Sequence, residues 1–159
     1  MRGWYDANPE GVIMDMMAGL QVSFSGLNAQ RTRMNVIASN LANAQSTRTP
    51  EGGPYKRQEV IFAAQPQHSL FEGMLNEQLR DGVNTVHVLD IVSDANGTRL
   101  EYEPDHPDAN EKGYVAYPNV NVMREMVDLI SATRAYEANV TAINSSKDMA
   151  LRALQIGRV

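Results

Sequence analysis

Residues 118–157 read PNVNVMREMVDLISATRAYEANVTAINSSKDMALRALQIG, and the fold turns on how that stretch is read. From Val120 to Ile156 neither proline nor glycine interrupts it. Asn119 or Asn121 is placed to cap a helix start, and Gly157 stands where a C′ glycine belongs. Val122, Met126, Leu129, Thr133, Tyr136, Val140, Ile143, Lys147, Ala150 and Leu154 recur at spacings of four and three, which is one face of an α-helix. A helix of that length cannot hide its seam unless another long helix runs beside it.

Working outward, the only candidate partner is the segment from about Asp15 to Ala44. There Leu20, Phe24, Leu27, Met34, Ala38 and Leu41 follow the same periodicity, with Arg31 the one interruption. At about 1.5 Å per residue both helices are long for so small a chain. Residues 1–14 lack periodicity and contain Pro9 and Gly11, so they are expected to form a flexible extension. The C-terminal helix also carries a face of small residues, Ala135, Ala138, Ala142 and Ser145, over which a neighbour can approach closely. The expected fold class is α+β: long N- and C-terminal helices (residues 15–44 and 119–157) paired as a coiled-coil-like stem. A loop and β-rich lobe, residues 45–118, is inserted between them.

The lobe opens on residues 45–54, whose Pro50, Gly52, Gly53 and Pro54 forbid helix continuation. Residues 55–63 and 83–92 read as strands, and 98–102 as a third. Asp94-Ala95-Asn96-Gly97 supplies turn chemistry for a hairpin between the last two. Leu70, Phe71, Met74, Leu75 and Leu79 mark a possible short helix, and residues 103–117 read as turn-rich chain.

Charge follows the same division. Residues 1–44 hold three basic and three acidic side chains, 45–119 six and twelve, and 120–159 five and four. Nearly neutral ends suit packing, and an acidic centre suits water. The net charge of −5 argues against a dedicated nucleic-acid binder. No apolar run is long enough to span a bilayer, and no basic-then-apolar leader of the Sec type opens the chain. Without cysteine there is neither a disulfide framework nor a thiol nucleophile.

Enzymatic motifs are weak. Asp105-His106-Pro107-Asp108, with Asn110 and Glu111, gathers metal-ligating types, but its spacing fits no helix face or calcium loop, and the same residues build tight turns. His68 and His87 have no evident carboxylate partners nearby in sequence. No nucleophile elbow, zinc-protease motif or phosphate loop is present. The reading is therefore non-enzymatic, with no catalytic residue, metal or cofactor.

Residues 25–44, SGLNAQRTRMNVIASNLANA, resemble the amino-terminal segment of flagellar axial proteins of the rod and hook class. The loop 48–55, RTPEGGPY, with HPDAN at 106–110, GYV at 113–115, YPNVNV at 117–122 and RAYEAN at 134–139, is similar to bacterial flagellar basal-body rod proteins, specifically proximal rod subunits of the FlgC family. That resemblance implies a structural subunit exported through the flagellar type III apparatus without a cleaved signal peptide. It would assemble helically with copies of itself and other rod proteins across the periplasm, as drive shaft and export channel, next to the membrane ring and its adaptor. The helix-seam residues Leu20, Phe24, Leu27, Met34, Ala38, Leu41, Val122, Met126, Leu129, Tyr136, Val140, Ile143 and Leu154 would then serve stem and subunit packing. The loop Thr49, Pro50, Glu51, Gly52, Gly53, Pro54 and Tyr55 would set how the lobe leans on the stem. A soluble coiled-coil adaptor or export chaperone is the alternative reading.

Overall fold

The computed structural model describes residues 9–66, 84–94 and 97–156. Helix α1 spans Pro9–Ala42 and helix α2 spans Val122–Ile156; between them lie β1 (Gln58–Pro66), β2 (Asn84–Ser93), β3 (Thr98–Tyr102) and β4 (Tyr114–Pro118). The α+β class with terminal helices holds. α1 begins earlier than Asp15 because proline, which has no N–H to satisfy, is tolerated in a first helical turn. Within the expected extension, residues 9–14 are therefore helical, while residues 1–8 lie outside the described residues, as do the possible helix around Leu70–Leu79 and the Gly157 cap.

α2 starts where Asn121 ends the preceding extended chain. The Asn121 side-chain oxygen accepts the Arg124 amide at 3.1 Å, and the Asn121 carbonyl accepts the Glu125 amide at 3.0 Å, which satisfies amides that a helix start leaves open. α1 stops in a turn in which the Asn43 amide and side chain both donate to the Ser39 carbonyl, at 3.1 and 2.9 Å.

Among the described residues the strands form two separate two-stranded sheets, β1 with β2 and β3 with β4. The expected β2–β3 hairpin is thus not a ladder. β3 pairs instead with β4, antiparallel, in the register Thr98↔Pro118 through Tyr102↔Tyr114. The sequence reading missed β4 because it is short and lies between Gly113 and a proline. Gly113 is a real turn requirement: its φ is +78°, and a Cβ there would stand 2.9 Å from the Tyr102 ring.

The chain divides into two compact units. One draws on Met1–Ala29, Ala63–His87 and Ala135–Val159, the other on Gln30–Phe62 and Val88–Arg134. In the first, α1 and α2 approach so closely that a Cβ on Gly26 would sit 2.9 Å from the Asn139 amide nitrogen. There the Ser25 hydroxyl donates to the Val22 carbonyl and accepts the Val86 amide of β2 at 3.1 Å. The second unit holds most of the deeply buried side chains: Val36, Ile37, Ala44, Val115, Val120 and Ala132, with Asn40 and Glu125 among them.

Candidate functional site

Two features of this fold bear on function: a polar junction and an apolar surface. The junction lies in the second unit, where the last turns of α1, the chain entering β1 and the first turn of α2 meet. Asn40, 1% exposed, donates from its amide nitrogen to the Gln58 carbonyl at 2.8 Å and to Glu125 Oε2 at 3.2 Å. Its oxygen accepts the Gln58 amide at 2.9 Å and the Tyr55 hydroxyl at 3.0 Å. Glu125, also 1% exposed, takes the Arg57 Nε at 2.7 Å on its other oxygen, and Arg57 reaches Glu59 at 3.3 Å.

Every atom of the Asn40 amide group is therefore used, and both Glu125 oxygens have donors. Burying a carboxylate in this way requires such partners, since an unpaired charge is very costly away from water. Burial by itself lowers the Arg57 pKa, but the Glu125 hydrogen bond and charge, together with Glu59, outweigh it and hold the guanidinium above its ordinary value.

Around the junction the helices run antiparallel. Arg33 lies 3.9 Å from Asp128, the Thr133 hydroxyl donates to Met34 Sδ at 3.6 Å, and Asn40 meets Glu125, so positions rise along α1 as they fall along α2.

The seam residues named above occupy two environments. Leu20, Leu27, Met34 and Leu41 on α1, and Leu129, Tyr136, Val140 and Ile143 on α2, are half-buried. Phe24, Ala38, Val122, Met126 and Leu154 are exposed. The deepest positions are instead Ala29, Val36, Ile37 and Asn40 on α1, and Glu125 and Ala132 on α2. In the first half of α2 the buried face is displaced by one residue from the apolar stripe, about 100° around the helix axis. Of the small-residue face, Ala135 is half-buried, and Ala138, Ala142 and Ser145 are exposed.

The displaced stripe forms the second feature. Val122, Met123, Met126, Val127 and Ile130 leave an apolar strip on the surface, with Met123 72% and Ile130 55% exposed. Farther along α2, in the first unit, Met149, Leu151 and Leu154 are exposed as well.

In the loop, Thr49, Pro54 and Tyr55 are half-buried and Pro50, Glu51, Gly52 and Gly53 are exposed. The Thr49 amide donates to the Gly53 carbonyl at 2.8 Å and the Gly52 amide to the Thr49 carbonyl at 3.0 Å; Gly52 and Gly53 take φ of +89° and +78°. Tyr55 alone of these seven reaches the junction. The metal-like turn is engaged elsewhere: Asp108 accepts the Thr47 hydroxyl at 2.8 Å and pairs with Arg48 at 2.9 Å, while its amide donates to His106 Nδ1 at 3.1 Å. It ties the chain after α1 to the loop before β4.

Two family models match the chain: "Flagella basal body rod protein" over residues 20–48 and "Flagellar basal body rod FlgEFG protein C-terminal" over residues 111–156. The chain is 46% identical over 149 residues to the flagellar basal-body rod protein FlgC of Borreliella burgdorferi, covering 90% of this chain and 98% of that relative. It is 45% identical over 152 residues to FlgC of Bacillus subtilis, covering 91% and 100%. The chain belongs to the FlgC family of flagellar basal-body rod proteins. FlgC of Escherichia coli O157:H7 is 39% identical over 145 residues, with 91% and 100% covered. The two matched segments contain Asn40 and Glu125 respectively, so both helical halves of the junction fall in FlgC-family regions, whereas Arg57 lies between them. Among the described residues no helix is long and apolar enough to cross a membrane.

Proposed function

We propose that this chain is a structural subunit of the proximal rod, assembling helically with copies of itself and other rod proteins into the drive shaft and export channel across the periplasm. It works by packing rather than by chemistry. The seam and small-residue positions supply that packing, and the loop 49–55 sets how the lobe leans on the helices. The membrane ring and its adaptor are the partners at the cell-proximal end. The subunit passes through the flagellar type III export apparatus in transit, without a cleaved signal peptide. The adaptor or chaperone alternative is not favoured, since the relatives carry rod-protein names.

The observation that carries this reading is the uncovered strip Met123, Val127 and Ile130 on a helix anchored at its base by buried Glu125. Exposed contiguous apolar surface marks a site meant for another protein surface. Anchored helices with bare apolar flanks suit a subunit that folds singly and is covered in an assembly.

The test is a strain lacking the native gene, complemented with Met123→Asp/Val127→Asp. Both side chains face water in the single chain, so the variant should fold like the parent but fail to yield rods or motility. Normal motility with intact basal bodies would contradict the reading.

A further inference from the structure

We infer that the Asn40–Arg57–Glu125 network is a register and partner key for α1, selecting one alignment with α2 and rejecting slipped or exchanged helices. Asn40 lies at the deepest level of the α1 face and needs a carboxylate and one specific backbone pair; Arg57 needs the same carboxylate from the opposite side. Glu125 alone supplies both.

A slip of one helical turn, about 5 Å, would move Glu125 out of reach and bury Asn40 against a different α2 residue. Of the positions one turn away, Asn121, Val122 and Leu129 carry no charge, and Asp128, one methylene shorter than Glu125, already faces Arg33 at 3.9 Å. The wrong alignment therefore leaves the buried Asn40 amide one hydrogen bond short and Arg57 with only the exposed Glu59 carboxylate, which is a penalty directed at the alternative. The apolar positions give no such discrimination. Alanines recur along α2 at 132, 135, 138, 142, 150 and 153, and a face of small residues tolerates several registers equally well. A single buried polar group fixing helix register is a well-attested use of such groups, whereas their net contribution to stability is often small.

The same reasoning applies to a foreign helix. Any α2-like helix with an apolar residue at the position of Glu125 would be refused, although its apolar face would fit.

The chain has no cysteine, so a distance reporter is introduced without background. Arg31 on α1 and Arg124 on α2 are exposed, belong to the same unit and are offset along the helix axes, so a slip changes their separation almost in full. Arg31→Cys/Arg124→Cys in the full chain, spin-labelled, gives the inter-helix distance by double electron–electron resonance. The parent should show one narrow distribution. Adding Asn40→Leu/Arg57→Met/Glu125→Leu should leave helix content and thermal midpoint at or above the parent's, yet broaden the distribution or add a peak about 5 Å away. A triple variant that keeps the single parental distance overturns the proposal, because register would then be set elsewhere. A triple variant that is unfolded by circular dichroism also overturns it, since the network would then be a stability element. So does a parent with no defined distance.

Discussion

The two ends of α2 share one helix and a similar apolar content but are treated oppositely. At the start, Asn121 caps, Glu125 is buried against Arg57 and Asn40, and Ala132 is 1% exposed. At the end, residues 151–155 are all exposed, Leu154 at 68%. What distinguishes them is not hydrophobicity but polar partners. The beginning is fixed by directional bonds that only this chain supplies. The end offers apolar surface that any complementary neighbour can cover. On the proposed reading this division suits a rod subunit, with the junction holding the helices and the bare surface left for neighbouring subunits.

The largest expected effect comes from breaking the fixed end. Glu125→Ala leaves Arg57 with only Glu59 and takes one of the four hydrogen bonds of Asn40, and urea denaturation should show a loss of about 3–5 kcal/mol. A loss under about 1 kcal/mol would erase the distinction between the ends. Asn40→Ala keeps the ion pair but leaves the Gln58 amide and Tyr55 hydroxyl without their acceptor, so about 1–3 kcal/mol should go. The order Glu125 above Asn40 sharpens the comparison, because it assigns the dominant part to the buried charge. At the bare end, Leu154→Ser should change the denaturation midpoint of the single chain by no more than about 0.5 kcal/mol equivalent, while lowering rod yield in complemented cells. Equal damage to folding and assembly would mean that this end is already covered within the chain.

The smallest effect lies off the helices. Tyr117 donates to Glu103 at 2.9 Å, and this bond, then burial and the Glu103 charge, raises the phenol's pKa above its ordinary value. The stabilisation is fully present below the ordinary tyrosine value of about 10 and fades as pH climbs through the higher folded-state value. Tyr117→Phe should flatten that alkaline decline, as followed by pH-dependent unfolding. An unchanged decline would remove Tyr117 from the account.

Much of the fold was legible in residue order. The uninterrupted run before Gly157 and the Asn121 cap placed α2 almost to the residue, a β-branched run located β2, and the turn residues 94–97 marked where β3 begins. β4 was not legible, because a strand of five residues beside Gly113 looks locally like loop and is made a strand only by pairing with Thr98–Tyr102. The junction was hidden for a related reason. Periodicity counts apolar residues, so it placed Met126 in the seam and Glu125 outside it. Glu125 becomes a core residue only through Arg57 and Asn40, far away in sequence, and no local pattern carries that information. Tyr55 was noticed as part of a motif, without its role as a donor to Asn40.

In the proposed rod subunit, α2 is held at one end and left bare at the other until assembly. The most direct test is amide hydrogen exchange on the dilute full chain and on isolated basal bodies, resolved along α2. The account predicts strong protection across 125–132 in both samples, and fast exchange across 148–155 in the dilute chain that becomes slow in the basal body. Equal protection of both ends in the dilute chain would contradict it.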